Sequence, residues 1–163
     1  MNTLRKTNEF IIRPMWREDL NDVLRIEKVS FPSPWPERLF LKELTNPVSD
    51  LFVALAPNLG GDHVVGYIVC WLVAGEVHVQ NLAAHPQFRR LGIASALLEY
   101  ALSYYRHRGA QNIYLEVRKY NLTAQQLYSK FHFRSVGVRR RYYSDTGEDA
   151  IIMERSIMSG AKE

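Results

Sequence analysis

The feature that most constrains the fold is a long amphipathic segment placed between two short apolar segments. Residues 77–83 and 113–117 are rich in Val, Leu and Ile, which favours strands. Residues 92–108 carry apolar side chains at helical spacing, and Gly109 follows as a C-cap. A strand, a helix and a second strand in this order predict a right-handed crossover between parallel strands. We therefore expect an α/β fold with a mixed central sheet flanked by helices.

Other segments add strands and helices to this sheet. The predicted strands cover residues 10–13, 51–56, 64–73, 136–143 and 150–153. The predicted helices cover residues 16–31, 37–44 and 122–130. Short connections at 74–76 and 144–147 predict antiparallel hairpins, and Gly60 and Gly61 indicate another hairpin loop at 57–62.

Length and composition restrict the class of protein. The chain has 163 residues, which suits one domain, and we place that domain at 10–155 with tails at 1–9 and 156–163. The longest mostly apolar run, residues 64–75, is shorter than the about 20 residues of a membrane-spanning helix. Cys70 is the single cysteine, so no internal disulfide forms, which suits a cytoplasmic location.

The charge of the chain gives little support to nucleic-acid binding. The formal net charge is +4, a small surplus. Arg139, Arg140 and Arg141 alternate across a predicted strand and form no single basic patch. We expect no direct nucleic-acid contact, and an RNA-associated module is one alternative function. The five histidines lack metal-ligand spacing, so we expect no metal.

The connection from the predicted strand to the long helix has the pattern of an anion site. Residues 89–94 read Arg-Arg-Leu-Gly-Ile-Ala. Gly92 lets the backbone approach a ligand closely, and a helix N-terminus offers unpaired N–H groups and a positive dipole end. Together these predict a site for a phosphate or pyrophosphate. A plain strand-to-helix turn with solvated arginines is the alternative interpretation.

Residues 89–94 also resemble the R/Q-x-x-G-x-G/A motif of the GNAT acetyltransferases, which binds the pyrophosphate of acetyl-CoA. Further segments are similar to the RimI-type branch of that family, which acetylates the N-terminal alanine of a ribosomal small-subunit protein. The resemblance covers roughly residues 10–155, and Ala94 and His132 depart from the commonest family pattern without affecting the chemistry. These segments are Phe31-Pro-x-Pro-Trp35, Asn81-Leu82-Ala83, Leu115-Glu-Val-Arg118, Asn121, Ala124, Leu127-Tyr128, Arg140-x-Tyr142-Tyr143 and Glu148-Asp-Ala-Ile-Ile-Met153.

The resemblance implies a GNAT fold and acetyl-CoA as the co-substrate. Asn121 also has a local interpretation, since it precedes a predicted helix as an N-cap. The implied cofactor contacts are Leu82, Ala83 and Ala84 along the pantetheine arm, Arg90, Leu91, Gly92, Ile93, Ala94 and Ser95 around the pyrophosphate, and Asn121 after the next strand.

The resemblance further implies Glu116 as the general base and Tyr128 as the general acid. From the residues alone, the favoured interpretations are structural: Glu116 as a solvated or salt-bridged strand carboxylate and Tyr128 as an amphipathic core aromatic. A glutamate with a pKa of about 4.3 is a poor base for an α-amine unless burial raises it. A tyrosine with a pKa of about 10 is a plausible proton donor to a thiolate leaving group. We expect direct attack in a ternary complex, with Cys70 as a buried hydrophobe.

The sequence says least about the acceptor, which is the amine that receives the acetyl group. The resemblance implies that the loop 31–36 and the hairpin at Tyr142 bind a peptide, with Trp35 and Tyr142 as groove walls or as packing residues. The implied partner is the N-terminus of a protein, in this branch a ribosomal protein. The alternative within the family is an enzyme that acetylates lysine side chains or a small amine. Lysine, with a pKa of about 10.4, needs more help from its base.

Overall fold

Within residues 10–57 and 63–158, which the computed structural model describes, seven strands form one sheet and four α-helices cover its two faces. The helices are α1 (Leu20–Ser30), α2 (Glu37–Thr45), α3 (Ile93–Arg106) and α4 (Leu122–Lys130). The strands are β1 (Ile11–Pro14), β2 (Ser49–Leu55), β3 (Val64–Val73), β4 (Glu76–Ala84), β5 (Asn112–Arg118), β6 (Arg134–Tyr143) and β7 (Glu148–Ser156). None of the described helices is long and apolar enough to cross a membrane.

The sheet confirms the predicted α/β class and its mixed character. The strand order is β1-β2-β3-β4-β5-β7-β6. Among the strand pairs of the described residues, only β4 and β5 are parallel, and α3 makes the predicted crossover between them. The prediction of a helix from residue 16 was wrong by one turn, because the Asp19 carboxylate accepts the Trp16 N–H at 2.7 Å and α1 begins only at Leu20.

The predicted domain limits stay a prediction. β7 continues to Ser156, and the side chain of Ile157 is buried in the core. The predicted hairpin loop at 57–62 and the predicted tail at 1–9 fall on residues outside the described ranges, apart from Pro57.

Strand alternation divides the side chains of β5 between two cores. Ile113, Leu115 and Val117 are buried on the face that α3 and α4 cover. The side chains between them point to the opposite face, which α1 and α2 cover. Glu116 therefore lies on the α1 face of the sheet.

The parallel pair β4–β5 separates after three residues. Residues 76–78 of β4 pair with 112–114 of β5, and the two strands diverge beyond them. On the other side of β4, Val69 pairs with Asn81 and Cys70 with Val79, so Gln80 is an extra residue. Such a bulge bends a strand and increases its twist. The edge of β4 that faces β5 therefore has no strand partner from residue 79 to 84 among the described residues.

A glycine allows α3 to lie close against β3. A Cβ added at Gly66 would lie 2.6 Å from Ile93 Cγ2 and 2.9 Å from the carbonyl oxygen of Ala83. Both distances are below van der Waals contact, and the second involves backbone that has little freedom to move. Gly66 therefore fixes how closely the N-terminus of α3 approaches the sheet.

We expect Gly66→Ala to reduce the free energy of unfolding by about 1–3 kcal/mol, the usual cost of overpacking a well-packed core. Urea unfolding followed by circular dichroism measures it. Gly137→Ala is the matched control in a strand, since a Cβ there would meet only Ile152 Cδ1 at 3.4 Å. An equal loss in both variants would show that the close approach of α3 is not the cause.

Candidate active site

A groove of about 450 Å³ opens where β4 and β5 separate. Its walls come from the loop after α1, from the separated ends of β4 and β5, from α4 and from the turn between β6 and β7. Segments that are far apart in the chain thus meet around one space. Six of the predicted site residues line it: Glu116, Tyr128, Leu82, Asn121, Trp35 and Tyr142.

Glu116 is held by hydrogen bonds on both of its carboxylate oxygens. Only 7% of its side chain is exposed. Oε2 lies 2.5 Å from Nε2 of His78, and Oε1 accepts a hydrogen bond from Nε of Arg139 at 3.2 Å. Nε2 of the Gln80 side chain lies 2.8 Å from Nδ1 of His78, so the ring of His78 is held between Gln80 and Glu116. The bulge residue Gln80 thereby sets the orientation of the carboxylate through His78.

These partners decide the charge of Glu116. Burial raises the pKa of this carboxyl, but the hydrogen bond and charge of His78, followed by those of Arg139, outweigh burial and hold the pKa below its ordinary value. The side chain is therefore a carboxylate at neutral pH. An effective direct base at this position would need a raised pKa, and the pKa of Glu116 is lowered instead.

The core interpretation of Tyr128 is confirmed, and its role as the general acid stays a prediction. It packs in the core beside Phe133, with 5.8 Å between ring centroids, and it also lines the groove. Burial, with a smaller contribution from Tyr143, raises the pKa of its hydroxyl above the ordinary value. The hydroxyl therefore stays protonated at neutral pH. Glu116 and Tyr128 approach the groove from opposite faces of β5, across the gap between the strands.

The start of α3 has the backbone that the predicted anion site requires. Arg90 and Gly92 both have positive φ, 65° and 86°, and a Cβ added at Gly92 would have no neighbour within 4 Å. The first hydrogen bond of the helix runs from the Ala96 N–H to the Gly92 carbonyl at 2.9 Å. Among the described residues, the N–H groups of Ile93, Ala94 and Ser95 have no acceptor. Three donors and open space therefore meet at the positive end of a helix dipole.

The remaining predicted contacts lie on β4 and at the start of α4. Leu82 lines the groove, and Ala83 and Ala84 continue β4 along its free edge. Asn121 is the N-cap of α4, since its Oδ1 accepts the Ala124 N–H at 3.1 Å, and the side chain also borders the groove. The N-cap interpretation is thus confirmed, and a cofactor contact at the same residue stays a prediction.

Two loops close the groove on the α1 side. Ser33 Oγ, in the loop after α1, donates to Asp145 in the β6–β7 turn at 3.3 Å. Arg118 pairs with the same carboxylate at 2.8 Å and lies 4.0 Å above the ring of Tyr143. Burial raises the pKa of Tyr143 to about 12, although Arg118 opposes it. These contacts hold the two loops together over one end of the groove.

The two predicted wall residues differ in how firmly they are packed. Trp35 packs on Phe40, with 5.3 Å between ring centroids, so it is both a wall and a packing residue. Tyr142 is 49% exposed and lies 5.1 Å from the ring of Tyr143.

Sequence reasoning missed His78, Arg139 and Glu27. His78 pairs in register with Tyr114, two residues before Glu116 on the same face, so aligning the two predicted parallel strands would have placed it near Glu116. Glu27 stands seven residues after Leu20 on the apolar stripe of α1, where a charged residue signals a buried, hydrogen-bonded carboxylate. No comparable signal points to Arg139. Among the described residues, no three His, Cys, Asp or Glu side chains gather as a metal site.

Comparison with known proteins adds a family to this geometry. Residues 20–133 match the acetyltransferase (GNAT) family. A Bacillus subtilis protein, provisionally assigned as a [ribosomal protein bS18]-alanine N-acetyltransferase, is 36% identical over 143 residues, which are 87% of this chain and 92% of that protein.

Solved structures share the fold over nearly the whole chain. The crystal structure of the ribosomal-protein-S18-alanine N-acetyltransferase from Escherichia coli has a TM-score of 0.83 and 29% identity, and the match covers 95% of this chain and 98% of that one. Arabidopsis thaliana NAA60 in complex with acetyl-CoA has a TM-score of 0.84 and 19% identity, covering 91% and 99% of the two chains.

Proposed function

The chain belongs to the GNAT family of acetyltransferases, and we propose that it transfers the acetyl group of acetyl-CoA to the α-amine of a protein that begins with alanine. The observation that carries this proposal is the groove between β4 and β5, where Glu116, Tyr128 and two acceptor-side loops meet. Relatives named for alanine N-acetylation of a ribosomal protein, at 36% and 29% identity, support a ribosomal small-subunit protein as the acceptor. A cytoplasmic location follows from that acceptor.

The residues present fit acetyl-CoA. Its pyrophosphate matches the three free N–H groups at the start of α3 and the open space beside Gly92. Its extended pantetheine arm matches the unpaired edge of β4 at Leu82, Ala83 and Ala84. The proposed contacts at the pyrophosphate are Arg90, Leu91, Gly92, Ile93, Ala94 and Ser95, and Asn121 is the proposed contact on α4.

When bound, acetyl-CoA supplies a thioester whose carbonyl carbon accepts the amine and whose sulfur leaves as a thiolate. Glu116, ionised at neutral pH, attracts the acceptor ammonium and accepts a hydrogen bond from it. A peptide α-amine has a pKa of about 7.7–8.0, so a substantial minority has already lost one proton to water and is neutral. As the C–N bond forms and the C–S bond breaks, the nitrogen loses its second proton to water beside Glu116, and the thiolate takes a proton from solvent after it leaves. Glu116 thus orients the amine more than it deprotonates it.

Tyr128 serves the leaving side of the same reaction. Its raised pKa makes complete proton transfer to a thiolate uphill, because a thiol has a pKa of about 8.5. A protonated hydroxyl instead stabilises the developing sulfur charge by donating a hydrogen bond. Glu116 therefore acts at the C–N bond that forms and Tyr128 at the C–S bond that breaks, from opposite faces of β5.

We expect Gly92→Val to abolish measurable CoA binding, because its side chain fills the space beside the free N–H groups. Calorimetric titration with CoA measures the affinity. Gly109→Val is the matched control, since Gly109 also has positive φ (74°) and no neighbour within 4 Å of a Cβ, but lies at the other end of α3, roughly 20 Å away. Both variants carry similar backbone strain, so loss of affinity in both would point to strain rather than to the anion site.

Glu116→Gln and Tyr128→Phe should each lower kcat by on the order of 10²-fold, with CoA affinity nearly unchanged. Steady-state kinetics with a saturating alanine-first peptide measures the effect. Because the pKa of Glu116 is held low, kcat/KM between about pH 6 and pH 9 should follow the peptide amine and not a glutamate. Full kcat in both variants, with chemistry shown to limit turnover, would assign the roles elsewhere.

The acceptor class is tested with three peptides and mass spectrometry of the products. An alanine-first peptide should be acetylated, the same peptide with a blocked α-amine should not, and adding an internal lysine to the blocked peptide should not restore transfer. The reason is that the two joined loops leave space for a chain terminus beside Glu116. Robust transfer to the lysine of the blocked peptide, with none to the first peptide, would refute the proposal and favour a lysine acetyltransferase.

A further inference from the structure

Glu27, on α1, is a buried carboxylate at the edge of the groove. The residue is 1% exposed and lines the groove. Its Oε1 accepts the backbone N–H of Trp35 at 2.9 Å. Its Oε2 accepts the side-chain amide of Asn81 at 2.8 Å and the hydroxyl of Tyr67. One side chain therefore joins the loop after α1 to β3 and β4.

These three donors are all uncharged, so Glu27 is buried without the compensation that an ion pair gives. Taking a carboxylate out of water is costly unless its oxygens are hydrogen-bonded. Glu27 nevertheless occupies a position on the apolar stripe of α1, where an apolar residue would pack. Such a local exception to apolar burial is expected where geometry matters more than stability.

The two elements that Glu27 joins form facing walls of the groove. Phe31 and Trp35 belong to the loop, and Asn81 and Leu82 belong to β4. A carboxylate bonded to Trp35 on one oxygen and to Asn81 on the other sets the distance between these walls.

We infer that Glu27 is a positioning residue that sets the space for the first side chain of the acceptor, and this inference rests on the proposed function. An acceptor with a small first residue fits between walls held at this distance. Glu27 touches neither the amine nor the thioester in this role. It acts through the loop after α1 and through Asn81.

The variant Glu27→Gln separates this role from simple folding. A glutamine side chain has one acceptor oxygen and one NH₂ group. In one orientation the glutamine oxygen points to the Trp35 N–H, and its NH₂ group then faces the NH₂ group of Asn81. In the other orientation the oxygen points to Asn81, and the NH₂ group faces the Trp35 N–H. The first orientation keeps both bonds only if the Asn81 amide rotates to present its oxygen to the NH₂, and the second loses the Trp35 bond. In both orientations neutral hydrogen bonds replace charge-assisted ones, so the loop is held less firmly against β4.

The experiment compares alanine-first and leucine-first peptides that are otherwise identical, together with hydrogen–deuterium exchange of residues 31–36. In Glu27→Gln we expect the alanine-to-leucine ratio of kcat/KM to fall by about tenfold or more, through a higher KM for alanine-first peptide and a lower KM for leucine-first peptide. We also expect faster exchange of the Trp35 amide. A purely structural role would lower turnover of both peptides equally and leave their ratio unchanged.

Glu43→Gln is the matched control. Glu43 is also a buried carboxylate, 6% exposed, and accepts a hydrogen bond from Nε1 of Trp71 at 2.7 Å, but it lies outside the groove lining. Its variant should keep both the ratio and the exchange of residues 31–36. If Glu27→Gln does not fold, Glu27→Asp keeps the charge but is one methylene too short to reach both walls, and the same changes are expected.

A folded Glu27 variant with an unchanged peptide ratio and unchanged exchange overturns the inference. Failure of the proposed function has a different signature, because the wild-type protein then acetylates neither peptide. In that case the exchange of residues 31–36 still decides whether Glu27 holds the loop.

Discussion

The site depends on the early separation of two parallel strands. β4 and β5 share three register pairs and then diverge, and the extra residue Gln80 accompanies the bend. Divergence leaves hydrogen-bonding groups of β4 unpaired along one edge and opens a gap through the sheet. An extended ligand can pair with that edge, and groups from both faces reach the gap. A continuous sheet with the same side chains would keep Glu116 and Tyr128 on separate sides of a closed layer.

Two buried carboxylates on the α1 face, Glu116 and Glu27, differ in their hydrogen-bond partners and therefore in what their charge can do. Glu116 has His78 and the cation Arg139, so its pKa is low and its carboxylate keeps a charge beside the groove. Glu27 has only neutral donors, and its oxygens are occupied by the parts it joins. The carboxylate of Glu116 keeps a charge at the groove, and the carboxylate of Glu27 joins two walls of the groove. Their difference arises from neighbours and not from residue type.

The sequence was sufficient for the fold class and for the backbone conformation at the start of α3, because both follow from local patterns, and anion binding there stays a prediction. Apolar periodicity predicted the crossover, and the spacing around Gly92 predicted the start of α3. The partners of Glu116 were beyond such reasoning. His78 required the parallel register of β4 and β5, and Arg139 required the position of β6, which only the tertiary pairing with β7 determines. The direction of the pKa shift of Glu116 was unpredictable for the same reason, because it depends on those two partners.

The outer position of β6 has a consequence for the charge of Glu116. Among the described residues, β6 is the last strand of the sheet and pairs only with β7, with irregular register between Arg139 and Tyr143. Strands held from one side open locally at lower free-energy cost than central strands. Each opening removes Arg139 from Glu116 and shifts the balance toward burial, which raises the proton affinity of the carboxylate. The proton affinity of a residue in the middle of the sheet therefore depends in part on a contact at the rim, while His78 on β4 makes the larger contribution.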